Sequence, residues 1–257
     1  MITKEDWAEG FSLLLEDQEA VPGLWKKRTL SQMKTWFSDQ AAADAILGVE
    51  DPVIYEYQEI GAPEHPGDVA FGISRVFPGK VGREFYMTKG HFHNISDTAE
   101  VYYGLKGHGL LLIEREDGVW KTLPLEPGVA SYVPRGFAHR SINTGSEPLE
   151  FFFAFRADAG HNYGRIEISG FSHIVTDLNH THDMNRIERV KKYERLFDEV
   201  ITSPDPEKLR QLEAYYTSGE WREDYEADER GELPPGLKRG ILSQDALYNL
   251  LESLSPD

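Results

Sequence analysis

The sequence predicts a mainly β protein, a barrel or sandwich of short strands, closed by an α-helical domain. Three observations carry this. From about Val53 to Val175, short runs rich in β-branched and aromatic residues recur, punctuated by Gly, Pro, Asn and Asp. Beyond Val175 the apolar residues shift to helical spacing. The chain has 257 residues, 40% apolar and 12% aromatic, ample for buried cores.

The elements follow in order. Residues 1–50 read as mixed and partly helical, with Leu30, Met33, Phe37, Ile46 and Leu47 at loosely helical spacing. Strands are expected in "VIYEYQEIG", "VAFGISRVF", "GREFYMTKGHFH", "AEVYYGLKG", "HGLLLIERED", "GVWKTLPLE", "GVASYVPRG", "HRSINTG" and "LEFFFAFRAD". "REDGVW" reads as a tight hairpin turning at Asp117-Gly118. Three helices are expected to close the chain. The first carries Ile187, Val190, Tyr193, Leu196, Phe197 and Val200 on one face. The second starts at Asp205 as N-cap with Pro206 in its first turn, and the third at Ser243. The acidic "EWREDYEADERGELPPG" between the last two reads as a loop. The domain expectation is one unit over residues 1–178, its barrel core at about 53–177, and an acidic helical domain over residues 183–257.

Composition excludes several classes. Cysteine is absent, so no disulfide framework exists and any metal site must use His, Asp and Glu. The net charge is −17, and the one basic cluster is Lys26, Lys27 and Arg28. A nucleic-acid partner is therefore not expected. No apolar run approaches the roughly 20 residues of a membrane helix, and the acidic N-terminus lacks a signal-peptide layout. A cytoplasmic protein is expected.

The segment "GHFHNISDTAEVYYGLKGHG", Gly90 to Gly109, carries the chemistry. On a strand, residues i and i+2 share a face, so His91 and His93 can reach one cation. Glu100 supplies an oxygen from the next strand. Further on, Gly128, Pro134, Gly136, His139 and Asn143 fit the pattern G-x5-P-x-G-x2-H-x3-N. Imidazoles with a carboxylate suit Fe, Mn, Ni, Zn or Co and leave positions open for substrate. Other histidines carry less. His180 and His182 form a second H-x-H that reads as a solvated linker, and His65, His108 and His173 read as turn or surface residues.

These two ordered motifs resemble those of the cupin family. The six residues Asn94 to Ala99 between His93 and Glu100 are more than general cupins have. That spacing is similar to the cupin-type glucose-6-phosphate isomerases. "RTLSQMKTWF", "FPGKVGREFYMTKGH", "GVASYVPRGFAHRSINTG", "EPLEFFFAF" and "DAGHNYGRI" agree, covering roughly residues 25 to 177. The resemblance implies a cupin double-stranded β-helix and a divalent metal, iron(II) first, held by His91, His93, Glu100 and His139. It implies interconversion of glucose 6-phosphate and fructose 6-phosphate in glycolysis and gluconeogenesis, by a homodimer.

The same resemblance implies a phosphate pocket at Thr88 and Gly90, with Ser74 where the family has a second threonine and Tyr55 in the substrate-binding set. Phe155 falls where the family has a phosphate-touching tyrosine, and another pocket tyrosine is replaced near Gly136. Tyr102 follows Glu100 on the same strand face. His161 and Tyr163 match a pair near the sugar, with Asn162 where aspartate is usual. Glu100, Tyr102, His161 and Tyr163 are thus the expected catalytic set. Both an enediol route with Glu100 as base and a hydride shift fit these residues. Rival readings are an isomerase of another phosphosugar such as mannose 6-phosphate, which the Phe155 departure motivates, a non-catalytic sugar-phosphate sensor, and an iron-dependent oxygenase. The tail resembles a small acidic helical domain of unassigned function.

Overall fold

The computed structural model describes residues 25–60, 66–234 and 236–254. Residues 1–24 of the partly helical N-terminal reading, and His65, lie outside the described residues. The chain divides into two compact units, residues 1–177 and 178–257.

The first unit is built from thirteen described strands: β1 Lys26–Thr29, β2 Val53–Ile60, β3 Val69–Val76, β4 Lys80–Val81, β5 Glu84–Phe85, β6 Phe92–His93, β7 Glu100–Lys106, β8 Gly109–Arg115, β9 Trp120–Leu125, β10 Ala130–Val133, β11 Phe137–Asn143, β12 Leu149–Arg156 and β13 His161–Asn162. Every ladder is antiparallel. A six-stranded sheet runs β1-β2-β3-β12-β7-β10 and a three-stranded sheet runs β11-β8-β9, with two small pairs beside them. Both large sheets feed one core that includes Ile54, Leu111, Leu125, Ile142 and Phe151, all nearly or fully buried. Each such side chain contributes on the order of 2 kcal/mol through burial. This is the mainly β unit of short strands that the sequence predicts.

Alternation sets the faces. Along β12 the residues Leu149, Phe151, Phe153 and Phe155 are buried, while their neighbours are half-buried. Along β7, Glu100 and Tyr102 turn inward, and Val101 and Tyr103 turn outward. The hairpin at Asp117-Gly118 forms, closed by Arg115 and Val119. Asn143, fully buried, donates from Nδ2 to the carbonyls of Val76 and Glu147 (2.8 Å each) and accepts from the Gly145 amide. The motif asparagine is thus a clamp on the β11–β12 turn. One strand is not legible in the sequence: β1, four residues with two lysines and an arginine, forms because its backbone completes the edge of the large sheet.

The second unit departs from the sequence reading twice. "EWREDYEADE" is not a loop but a helix, Gly219–Glu229. Ser218 caps it by accepting from the Trp221 amide (3.2 Å), and Trp221, Asp224 and Ala227 form its buried face. Its apolar stripe is interrupted by an acid, which hides the period. Asp224 is fully buried because Arg189 donates to both of its oxygens (2.8 and 2.6 Å) and the Tyr215 hydroxyl donates to Oδ2 (2.7 Å). The "LNHTHDMN" segment is not a linker either: it lies in the helix Asp177–Thr202, so His180 and His182 are helical residues. Helices Pro206–Tyr216, capped by Asp205, and Gln244–Leu254 stand where the sequence predicts them.

Candidate active site

The ladders bring residues far apart in sequence to one cavity of about 260 Å³. β2 contributes Tyr55, Tyr57 and Glu59 from one face, and β12 contributes Phe151, Phe153 and Phe155. β7 supplies Glu100 and Tyr102, and β11 supplies His139 and Ser141. His91 reaches the site through a bridge between its backbone and that of His139. β13 pairs His161 with His93, which swings the His161 ring to within 4.3 Å of the His91 ring. Tyr163 follows, its ring 5.6 Å from His91.

Ligand atoms of His91, His93, Glu100 and His139 all lie within 4.8 Å of one another. His93, Glu100 and His139 are buried. Glu100 Oε2 sits 3.1 Å from His93 Nε2 and 2.9 Å from His139 Nε2. The outer nitrogens, His93 Nδ1 and His139 Nδ1, face the carbonyls of Thr98 and Phe137, each at 3.4 Å. With protons on those outer nitrogens, the inner lone pairs of both rings face the same carboxylate oxygen, acceptor against acceptor. A cation between them relieves that opposition. Nε2 of His91, also buried, has no hydrogen-bond partner. The donor set therefore fits a divalent ion, and its mixture of imidazole and carboxylate suits Mn, Fe, Co, Ni or Zn.

Electrostatics agree. Burial, reinforced by His139 and His161, pushes the His91 ring far below its usual value and keeps it neutral, the form that ligates. Burial pushes the Glu100 carboxyl up, but His139, His93 and His91 together outweigh it and hold the group below the usual range. Burial and then the Glu100 charge push the Tyr102 phenol well up, so its O–H is available to donate to Glu100. Burial lowers His161 and raises Tyr163, leaving a neutral imidazole beside an intact phenol.

Beside the histidines lies a cradle of neutral donors. The Thr88 amide donates to the Ser141 carbonyl (2.9 Å), and Thr88 Oγ1 accepts from the Ser141 amide (3.0 Å). That leaves the Thr88 hydroxyl proton free to point into the cavity. Arg140 donates to the Lys89 carbonyl (2.7 and 3.3 Å) and fixes the Thr88–Gly90 stretch from behind. Gly90 has φ +73°, and a Cβ there would meet the Phe171 ring at 2.7 Å and the His139 carbonyl at 2.8 Å. Only glycine fits this turn.

The expected residues Tyr55, Ser74, Thr88, Gly90, His91, Glu100, Tyr102, His139, Phe155, His161 and Tyr163 all line the cavity. His93 backs it as the partner of Glu100 and His161. Phe155 lies in an apolar wall, its ring 5.8 Å from His93 and 5.4 Å from His161. Asn162 faces out, and its Oδ1 accepts from the Gly164 amide (3.1 Å). It holds the turn that presents Tyr163. Sequence reasoning missed Lys26, Arg28, Tyr57, Glu59, Lys89, Ser141, Phe151 and Phe153 as lining residues. Strand alternation marks Tyr57 and Glu59 once Tyr55 is placed, and marks Ser141 once His139 is placed.

A family model described as glucose-6-phosphate isomerase (GPI) matches residues 27–192, and one described as a domain of unknown function (DUF4298) matches residues 184–256. The chain is 48% identical over 150 residues to a glucose-6-phosphate isomerase of Thermococcus gammatolerans, covering 58% of this chain and 79% of the relative. It is 46% identical over 160 residues to a glucose-6-phosphate isomerase of Pyrococcus abyssi, covering 62% and 85%. Among solved structures, an oxalate decarboxylase of Bacillus subtilis matches with 24% identity and a TM-score of 0.34, over 42% of this chain and 26% of that one.

Proposed function

Since the chain belongs to the glucose-6-phosphate isomerase family, we propose that it interconverts glucose 6-phosphate and fructose 6-phosphate as a metal-dependent aldose–ketose isomerase. The observation that carries this reading is the convergence of the His91, His93, Glu100 and His139 cluster with the Thr88–Gly90 cradle in one cavity. A divalent ion held by those four residues, iron(II) in this reading, supplies Lewis-acid stabilisation of the oxyanion that develops as the carbonyl migrates. The chain's own groups do the rest. Thr88 donates its hydroxyl proton to the phosphate, with the Gly90 amide and the Ser74 hydroxyl beside it. Tyr102 donates to Glu100 and orients it. A hydrogen passes between C1 and C2, directly as hydride or as a proton by way of Glu100, while His161, neutral through burial, can take a proton from the hydroxyl of one carbon and return it to the oxygen of the other, and Tyr163 keeps its proton to donate. Phe151, Phe153 and Phe155 line one wall and exclude water.

Turnover of fructose 6-phosphate and mannose 6-phosphate, measured side by side, tests the substrate assignment. The expected outcome is glucose 6-phosphate formation from the first at far higher kcat/KM, and the reverse preference would reject it. Thr88→Val is expected to raise KM for fructose 6-phosphate about tenfold, the loss of one charge-assisted hydrogen bond. The same variant loses the acceptor of the Ser141 amide, which costs about 1 kcal/mol in urea unfolding. A stability loss without a change in KM would make Thr88 purely structural.

Residues 1–178 carry this activity in our reading, and residues 183–257 form a separate acidic helical domain. Their division into compact units supports it. Deleting residues 183–257 is expected to leave kcat/KM within about twofold of the full chain, as for a separate compact unit that carries no group of the site. Loss of turnover would place the tail in the active unit. The exposed apolar side chains Val101, Tyr103, Leu105 and Tyr132 on the outer face of β7 and β10 support a homodimer, to be checked by light scattering. Among the described residues no helix is long and apolar enough to cross a membrane. A cytoplasmic location, with the sugar phosphate at hand, completes the reading.

A further inference from the structure

Among the described residues, the cavity holds a cation that no acid neutralises. Side chains alternate along β1. Lys27 points to one face, where Glu56 lies 3.7 Å from its Nζ. Lys26 and Arg28 stand opposite Tyr57 and Tyr55 in the register and line the cavity. Lys26 lies near enough to Glu59 to pull that carboxyl down against the rise that burial causes. Arg28 has no such neighbour. Its Nη1 donates to the Lys27 carbonyl (3.0 Å) and its guanidinium lies 5.8 Å from the Tyr57 ring. Among the described residues it makes no ion pair.

Its position follows from its neighbours. The charge of Arg28 is felt by Tyr55 and by Tyr163, and the Tyr55 hydroxyl lies at the backbone of Lys89, between Thr88 and Gly90. Ser74 stands opposite Tyr57 on the next strand. Arg28 therefore overlooks the same end of the cavity as the neutral cradle. A phosphate dianion in that cradle meets hydroxyls and amides, Phe155 adds no donor, and two carboxylates, Glu59 and Glu100, share the cavity. Lys89 also borders it, but its Nζ lies 5.3 Å from the Trp36 ring, engaged in a cation–π contact. In a chain of net charge −17 such a dianion needs a local cation. A guanidinium at the rim suits it, because its planar fork matches phosphate oxygens.

We propose that Arg28, assisted by Lys26, grips the phosphate of the substrate and restricts the enzyme to phosphorylated sugars. The proposal rests on the isomerase reading for the identity of the sugar, but not for the presence of an anion site.

The test uses the full chain loaded with manganese, as wild type, Arg28→Ala and Arg28→Lys. Two quantities are measured: KM and kcat for fructose 6-phosphate, and the Kd of inorganic phosphate by calorimetry. The alanine variant is expected to raise both KM and the phosphate Kd by about 10- to 100-fold, with a much smaller change in kcat, and lysine to restore part of the loss. Values within about twofold of wild type in the alanine variant overturn the proposal. So does a matched fall in kcat and thermal stability that lysine does not rescue, which makes Arg28 structural. Should the wild type turn over no fructose 6-phosphate yet bind phosphate through Arg28, the isomerase reading falls and the anion site stands. A wild type that binds no phosphate overturns the site itself.

Discussion

Replacing His139 with alanine is expected to remove the metal and the turnover together. His139 is 2% exposed and its Nε2 lies 2.9 Å from Glu100 Oε2. Its loss takes one of four ligands from a site whose remaining nitrogens belong to His91 and His93. Lewis-acid stabilisation is worth several kcal/mol, and each 1.36 kcal/mol is tenfold, so kcat/KM should fall by about 10³-fold or more. Metal content measured on the purified variant separates this from a local fault. His161→Ala provides the contrast: it also lines the cavity but is not in the ligand group, so it should slow turnover and keep the metal. A His139→Ala protein with full metal and full rate would refute the ligand assignment.

Gly104→Ala is expected to destabilise the β unit severely. Gly104 sits on β7, four residues after Glu100, where the strand touches the turn that follows β9. Its amide donates to the Val129 carbonyl (3.0 Å), and its own carbonyl accepts from the Gly128 amide (3.1 Å). A Cβ there would lie 2.0 Å from the Glu126 carbonyl oxygen and 2.4 Å from its carbon. These are backbone atoms that cannot rotate away. Either β7 moves, with Glu100 and Tyr102 on it, or the turn does. Overpacking of this kind costs about 3 kcal/mol, read as a lower urea midpoint. The metal site should loosen in parallel, since β7 carries the Glu100 ligand. A variant as stable as the parent would mean that this close approach of strand and turn does not exist.

The metal cluster was legible because its chemistry is written in fixed spacings. His91 and His93 flank one residue, and Glu100 and His139 each lie within an ordered motif. Asn143 was legible as a motif position but not as a turn clamp, since its bonds to Val76 and Glu147 depend on tertiary neighbours. β1 was not legible as a strand at all. Four residues with three cations carry no strand pattern, and only pairing with β2 makes one. The cavity cations were hidden with it. The helix Gly219–Glu229 was hidden because Asp224 occupies a core position, an acid made tolerable by Arg189 and Tyr215 from other helices. The segment around His180 and His182 reads as polar from its composition, while the structure continues it into a 26-residue helix.

The central claim is that four side chains hold a metal on which sugar-phosphate isomerisation depends. A coupled assay on chelator-stripped protein tests it directly, with fructose 6-phosphate as substrate and glucose 6-phosphate read through its dehydrogenase. The account predicts negligible turnover in the stripped protein and recovery as iron(II) or manganese is added, saturating at one ion per chain. Full activity in protein shown by elemental analysis to hold no metal would contradict it.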